Sequence, residues 1–189
     1  MNTNPLQAGE PFIFMKVGVH AQEDLASIIK RKREEIEKAG VSFWGYGGNT
    51  CHPLTAVQPF MEAATKSTAT VRLLMQEINS HHYADPVRAE SYSSDGITWK
   101  EIPKAIHVLG SRYALVLSTL EEIDLDVSLD DTRVAIGRLV GKVGAEYIRG
   151  RVDKACLTFQ PAGTGGDKGD QVHLALAAKL AAPYAVLLK

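Results

Sequence analysis

The spacing of apolar residues divides the chain into a helical opening and a strand-rich remainder. Pro11-Phe-Ile-Phe-Met-Lys-Val-Gly-Val19 is a short β-prone apolar run bounded by Gly9 and His20, the composition of a buried central strand. From Ala21 to Ala39 the apolar residues Leu25, Ile28, Ile29 and Ile36 recur at helical spacing, and Gly40 follows where a C-cap glycine belongs. The spacing predicts a helix there. A loop over Ser42–Pro53 comes next, then a shorter helix over Thr55–Thr65 restarted around Pro59.

The pattern beyond this point is mostly that of strands. Thr70–Ile78 reads as one, and a polar break over Asn79–Pro86 ends it. Asp95-Gly96 lies between two alternating segments of Ala89–Ile102 and predicts a hairpin with a type I′ turn. Ile106–Leu109 and Tyr113–Leu117 read as strands divided by Gly110 and Ser111. Ser128, with Asp130 and Asp131 behind it, is placed to cap a helix carrying Ile136, Leu139, Val140 and Val143. Gly137, Gly141 and Gly144 oppose that helix, each costing about 1 kcal/mol against alanine, so residues 129–144 are left between helix and strand. Ala145–Phe159 reads as strand and Pro161–Gly169 as loop. In residues 171–189 alternation of Val172, Leu174 and Leu176, then of Tyr184, Val186 and Leu188, predicts two strands about Pro183, although the alanines there also suit a helix. The fold class is α+β: one or two N-terminal helices on a largely antiparallel or barrel-like sheet.

Length and charge bound the function. The chain of 189 residues suits a single domain over 1–189, with residues 1–10 a polar lead-in and 161–170 a flexible glycine-rich loop. Hydrophobic residues make up 45% and no apolar run reaches the roughly 18 residues of a membrane span, so no membrane partner is expected. Residues 1–10 lack the basic start and apolar stretch of a secretory signal, and Cys51 and Cys156 are too few for a disulfide framework, which together suit a reducing, cytoplasmic setting. A net charge of -1 argues against generic adhesion to nucleic acid, so any such binding is local. Lys30-Arg-Lys-Arg33 is followed by Glu34, Glu35 and Glu37, and pairing of Arg31 with Glu35 and Arg33 with Glu37 makes this a solvated helix face.

The densest chemistry lies in Ser42-Phe-Trp-Gly-Tyr-Gly-Gly-Asn-Thr-Cys-His-Pro53. Phe43, Trp44 and Tyr46 supply flat π faces. Gly45, Gly47 and Gly48 let the backbone approach a ligand, and Asn49 can read an amide or base edge, with His52 beside it. The same rings serve equally as core anchors, the glycines then merely turning the chain. Arg149 and Arg151, two apart on the expected strand, project to one side and suit a phosphate or an acidic partner, or else face water near Asp153.

A strand ending in a lysine-containing apolar run, a helix, and then Trp44, Gly45 and Asn49 ahead of a strand at Val71–Ile78 resembles the opening of EVE and related PUA-like domains over roughly the first 80 residues. The resemblance implies a PUA-like fold that binds nucleic acid, in some members by taking a modified base into an aromatic pocket. Tyr46-Gly47-Gly48 in the middle of the motif departs from the family pattern.

Three other chemistries lack part of what they need. Cys51 would need a remote histidine such as His81, His82, His107 or His173 for nucleophilic catalysis, because the adjacent His52 points away on an extended backbone. A zinc site among Cys51, His52, His81, His82 and Cys156 lacks the usual ligand spacing, and Gly163–Gly169 lacks the Lys-Ser/Thr ending of a phosphate loop. No metal, cofactor or catalytic residue is therefore assigned. The expectation is a binding module for a nucleotide-like small molecule or a nucleic acid. The alternatives are a phage-type inhibitor or sequestering protein with a protein or small-molecule partner, and a cysteine-dependent enzyme using Cys51.

Overall fold

A computed structural model describes residues 6–47, 53–68, 70–149, 152–161 and 169–189. Strands β1 (Pro11–His20) and β3 (Arg72–His82) lie side by side and parallel, with Phe12 opposite Arg72 and Val17 opposite Glu77. Their crossover carries α1 (Leu25–Ala39), β2 (Ser42–Gly45) and α2 (Leu54–Thr68). The remaining strands are β4 (Ser91–Ser93), β5 (Lys100–Glu101), β6 (Tyr113–Leu117), β7 (Glu121–Ser128), β8 (Thr132–Val134), β9 (Lys154–Phe159) and β10 (Gln171–Leu188), with α3 (Gly144–Ile148) before β9. These ten strands form one mixed sheet, in the order β2-β6-β10-β3-β1-β9-β8 with β4, β5 and β7 joined at β10. Apart from β1 with β3, the pairings among the described strands are antiparallel. The class is α+β as expected, but the sheet is open where a barrel-like closure was the alternative.

Helix α1 follows from local rules. Asp24 caps it by accepting from the Ser27 N–H at 2.9 Å, and Gly40, at φ 78°, ends it by donating to the Ile36 carbonyl at 2.8 Å. It begins four residues later than the periodicity predicts, because Ala21 and Gln22 take left-handed φ values of 48° and 66° in the turn after β1. Its apolar stripe of Leu25, Ile28 and Ile29 packs with Ile13, Val17, Leu73 and Met75 from one face of the sheet. Phe12, Phe14, Leu74 and Leu157 fill the other face against Ala145 and Ile148 of α3. A third cluster gathers Phe43, Ile102, Ile106, Val116 and Val186.

Strand β10 binds the sheet together. Gln171–Ala177 pairs with β7, Leu176–Lys179 with β3, Ala185–Leu187 with β6, and Leu187–Leu188 with β4. The two strands expected about Pro183 are therefore halves of one, which changes partners across a cis Ala182–Pro183 bond.

Several expectations fail for identifiable reasons. Ser42–Gly45 is an edge strand on β6, not loop, because Phe43 and Trp44 alternate between two cores. The Asp95-Gly96 hairpin exists, but pairing of Tyr92 with Lys100 leaves a wider turn than type I′. There the Asp95 carboxylate accepts from the Ile97 and Thr98 N–H groups and the Ser93 hydroxyl, which also holds it below the usual carboxylate range. Ile106–Leu109 is irregular, with only an isolated bridge from Leu109 to Arg88. Residues 129–144 form a 3₁₀ turn, β8 and bends in place of a long helix, as Gly137 and Gly141 at φ 80° and 86° require. Ala145–Phe159 is α3 followed by β9, so Arg149 ends a helix and does not lie on a strand. Strand β7, Glu121-Glu-Ile-Asp-Leu-Asp-Val-Ser128, was not anticipated.

Candidate functional site

The carboxyl ends of β1 and β3 open onto a cavity of about 250 Å³. Ligands in open α/β sheets commonly sit beyond the carboxyl ends of parallel strands, because loops diverge there and leave a crevice. Here the register slips between Val17 and Val19, so that one residue of β1 faces Ile78, Asn79 and Ser80 of β3. The bulge demands a glycine: a Cβ on Gly18 would lie 2.7 Å from Ser80 Oγ and 2.8 Å from the Ile78 carbonyl. Helix α1 covers one side of the cavity with Ile28, Arg31 and Lys32, and β2 with its continuation closes another with Trp44 to Gly47. Asp153 and Lys154 at the start of β9, His81 of β3, and Val108 and Leu109 complete the wall.

The predicted aromatic residues separate here. Trp44 and Tyr46 border the cavity although only 5% and 2% exposed, so each ring is at once core and wall. Phe43 points to the opposite side, where it meets Tyr92 edge-on at 5.1 Å, and does not line the cavity. The Tyr46 ring is already engaged, with Lys154 Nζ 5.3 Å from its centroid and Tyr113 edge-on at 5.2 Å. Gly45 and Gly47 line the cavity, and Gly47, at φ 103°, leaves Lys154 the room that a side chain would fill, 2.8 Å from a Cβ placed there. Gly48, Asn49, His52 and Arg151, with Cys51, lie outside the described residues. Arg149 stands away from the cavity, 3.5 Å from Asp170 in an exposed ion pair.

Sequence reasoning missed the polar half of the wall. Glu35, 2% exposed, lies on the buried side of α1 and accepts four hydrogen bonds: Arg31 Nη1 at 2.8 Å and the His107 N–H at 3.0 Å on Oε1, Lys32 Nζ at 3.0 Å and Ser42 Oγ at 2.5 Å on Oε2. Arg31 also forms a forked pair with Glu23, and both Arg31 and Lys32 donate to the His107 carbonyl, Lys32 at 2.7 Å. Of the expected pairs, Arg31 with Glu35 forms but Arg33 turns to Glu122, not Glu37, and the basic stretch is solvated only in part, since Lys30 is exposed while Lys32 is 3% exposed. Burial pushes the Lys32 ammonium down to about 8, against the opposing pull of Glu35. A signal was present, since Lys32 and Glu35 share the helical stripe of Ile28, Ile29 and Ile36, but charge masked it.

The other chemical candidates fare differently. Cys156 is fully buried in the cluster that also holds Tyr46 and Tyr113, and burial holds its thiol well above the ordinary range, the condition of an inert packing residue. Among the described residues no group of three His, Cys, Asp or Glu side chains is disposed to hold a metal, and no helix is long and apolar enough to cross a membrane. Most of residues 163–169 lies outside the described residues. His173 pairs on the surface with Asp126 at 3.1 Å, and the His20 ring meets the Leu109 carbonyl at 3.0 Å beside the cavity. No protein-family model, curated protein or solved structure matches the chain.

Proposed function

We propose that the protein is a binding module for a nucleotide-like ligand, either free or presented as a base by a nucleic acid. One observation carries the reading: an indole and a phenol border a partly enclosed cavity whose wall also holds Arg31 and Lys154, paired there with Glu23 and Asp153. An aromatic face beside paired charged side chains suits a planar molecule with polar edges. The volume narrows the class. Sites for drug-sized ligands begin near about 300 Å³, so the cavity's roughly 250 Å³ accommodates a base or nucleoside and excludes a dinucleotide lying wholly inside. The similarity of Trp44, Gly45 and Asn49 to the EVE and PUA-like motif favours the same class of ligand, and on this reading the open sheet is a PUA-like variant.

Trp99 lies outside the cavity wall, partly exposed under Lys189, so a Trp99→Phe variant leaves Trp44 as the only indole. Its fluorescence is to be titrated with nucleosides, nucleoside monophosphates and short single- and double-stranded oligonucleotides at two salt concentrations. Saturable quenching by at least one of these is expected, with salt-sensitive binding if the ligand is a nucleic acid. An unchanged spectrum with all of them up to millimolar concentration refutes the reading.

A further inference from the structure

The nitrogen of Lys32 has three substituent positions beyond its carbon, and the fold fills two of them. Nζ donates to Glu35 Oε2 at 3.0 Å and to the His107 carbonyl at 2.7 Å. Both acceptors are on the protein side, in the network that ties α1 to the segment before β6. A neutral amine owns two N–H donors and one lone pair, so these two acceptors satisfy it completely. The lone pair is left in the remaining tetrahedral direction. The protonated amine carries a third N–H in that direction, and at pH 7 it is still the major form of a group lowered to about 8, so the neutral amine is the minor, reactive species. Lys32 is itself part of the cavity wall, and almost all of its side chain is withdrawn from bulk water.

We propose that Lys32 is a reactive amine that condenses with a small aldehyde or ketone held in the cavity. The Lys32 lone pair forms the new C–N bond as the carbonyl π pair moves to oxygen. That oxygen takes up the proton the nitrogen sheds, giving a carbinolamine. The C–O bond then breaks as the nitrogen pair forms C=N, and the departing hydroxyl takes the nitrogen's remaining proton and leaves as water, so that R₂C=O and R′NH₂ give an imine and H₂O with no oxidant or reductant. Three features recognised in amine nucleophiles meet here: desolvation that favours the uncharged form, a fixed orientation, and a neighbouring apolar wall. Ile28, Val17 and Val108 supply that wall. An amine near 8 has a neutral fraction at pH 7 of about one tenth, hundreds of times that of an ordinary lysine near 10.5.

The inference rests on the same cavity as the nucleotide-like reading but not on its ligand class. The full chain is incubated at pH 7 with glyoxylate, and separately with 4-hydroxybenzaldehyde, in the presence of cyanoborohydride, which reduces an imine to a stable secondary amine. Labelled peptides are then mapped by mass. Lys32 is expected to label at least about tenfold faster than Lys30 and Lys38, which are exposed on the same helix, and to saturate with aldehyde while theirs rises linearly. Labelling of Lys32 no faster than of Lys30 with both aldehydes overturns the proposal. Trp44 quenching by nucleosides without Lys32 labelling would remove this inference alone, and selective labelling without quenching would remove only the nucleotide-like reading. Because the decisive comparison is made within the unsubstituted protein, it does not depend on a Lys32→Arg variant folding, which serves as the negative control.

Discussion

Removing one member of the Lys32–Glu35 pair should have very different consequences depending on which member goes. Glu35 accepts four hydrogen bonds, and a glutamine in its place turns one acceptor oxygen into an NH₂ that must confront either Lys32 and Ser42 or Arg31 and the His107 N–H. Glu35→Gln therefore leaves a buried cation beside a donor, and the penalty for stranding a buried charge is about 3–5 kcal/mol. Lys32→Met removes the charge whose burial is unfavourable, while Glu35 keeps Arg31, Ser42 and the His107 N–H, and the His107 carbonyl keeps Arg31. Its expected effect is within about 1 kcal/mol of zero. Urea unfolding read by circular dichroism measures both. With a slope of about 2 kcal/mol/M, Glu35→Gln should lower the midpoint by about 2 M and Lys32→Met by under about 0.5 M. The pH dependence supplies a second reading. A base whose native value is lowered to about 8 stays charged in the unfolded chain up to about 10.5, so between these values the native state binds fewer protons. Stability attributable to Lys32 is thus lowest below 8 and recovers as pH rises to 10.5, by at most about 3 kcal/mol. Lys32→Met should lack that rise. A Lys32→Met loss as large as that of Glu35→Gln, or an identical pH curve in both proteins, would show that attraction to Glu35 outweighs burial and refute the reasoning.

Other outcomes follow from single contacts. Gly47→Ala should cost about 1–2 kcal/mol from its positive φ and displace the Lys154 ammonium as well, whereas Gly40→Ala, with open space at its Cβ, should cost only the backbone strain of about 1 kcal/mol; thermal melts and nucleoside titrations of both distinguish them. Iodoacetamide at pH 8 should leave Cys156 unmodified in the native protein and label it in urea, and native labelling would contradict its burial. Tyr113→Phe should be neutral or slightly stabilising in urea unfolding, since its buried hydroxyl has no hydrogen-bond partner among the described residues.

What could be read from the residues alone follows physical lines. Helix α1 was legible because Leu25, Ile28, Ile29 and Ile36 repeat at one period and Gly40 stops them. β1 and the first part of β3 were legible because Phe12–Met15 and Leu73–Met75 are apolar runs, as strands covered on both faces must be, whereas β3 continues through Asn79–His82, which the polar residues there disguised as a break. Strand β7 was hidden by Glu121, Glu122, Asp124 and Asp126, which mark an edge facing water and depress every apolar average. α3 was hidden by its five-residue length, too short for a period to show. Within the site, Trp44 and Tyr46 announced themselves by type, but their roles divided from that of Phe43 only once β2 had a register on β6. Lys32 and Glu35 carried a signal in their place on the stripe of Ile28, Ile29 and Ile36, but their partners Ser42 and the backbone of residue 107 reach them only through the tertiary fold.

The course of β10 has a consequence for how the molecule is made. A strand that borders β3, β4, β6 and β7 is later in the chain than each of them. During synthesis those partners emerge with an unsatisfied edge and must wait for residues 171–188, about 5–20 s for β3 at about 5–20 residues per second. Until then the nascent chain has the α1 lid and the aromatic wall but no spine beneath them, which makes the interval before β10 arrives the period of greatest exposure to misassociation and to chaperones.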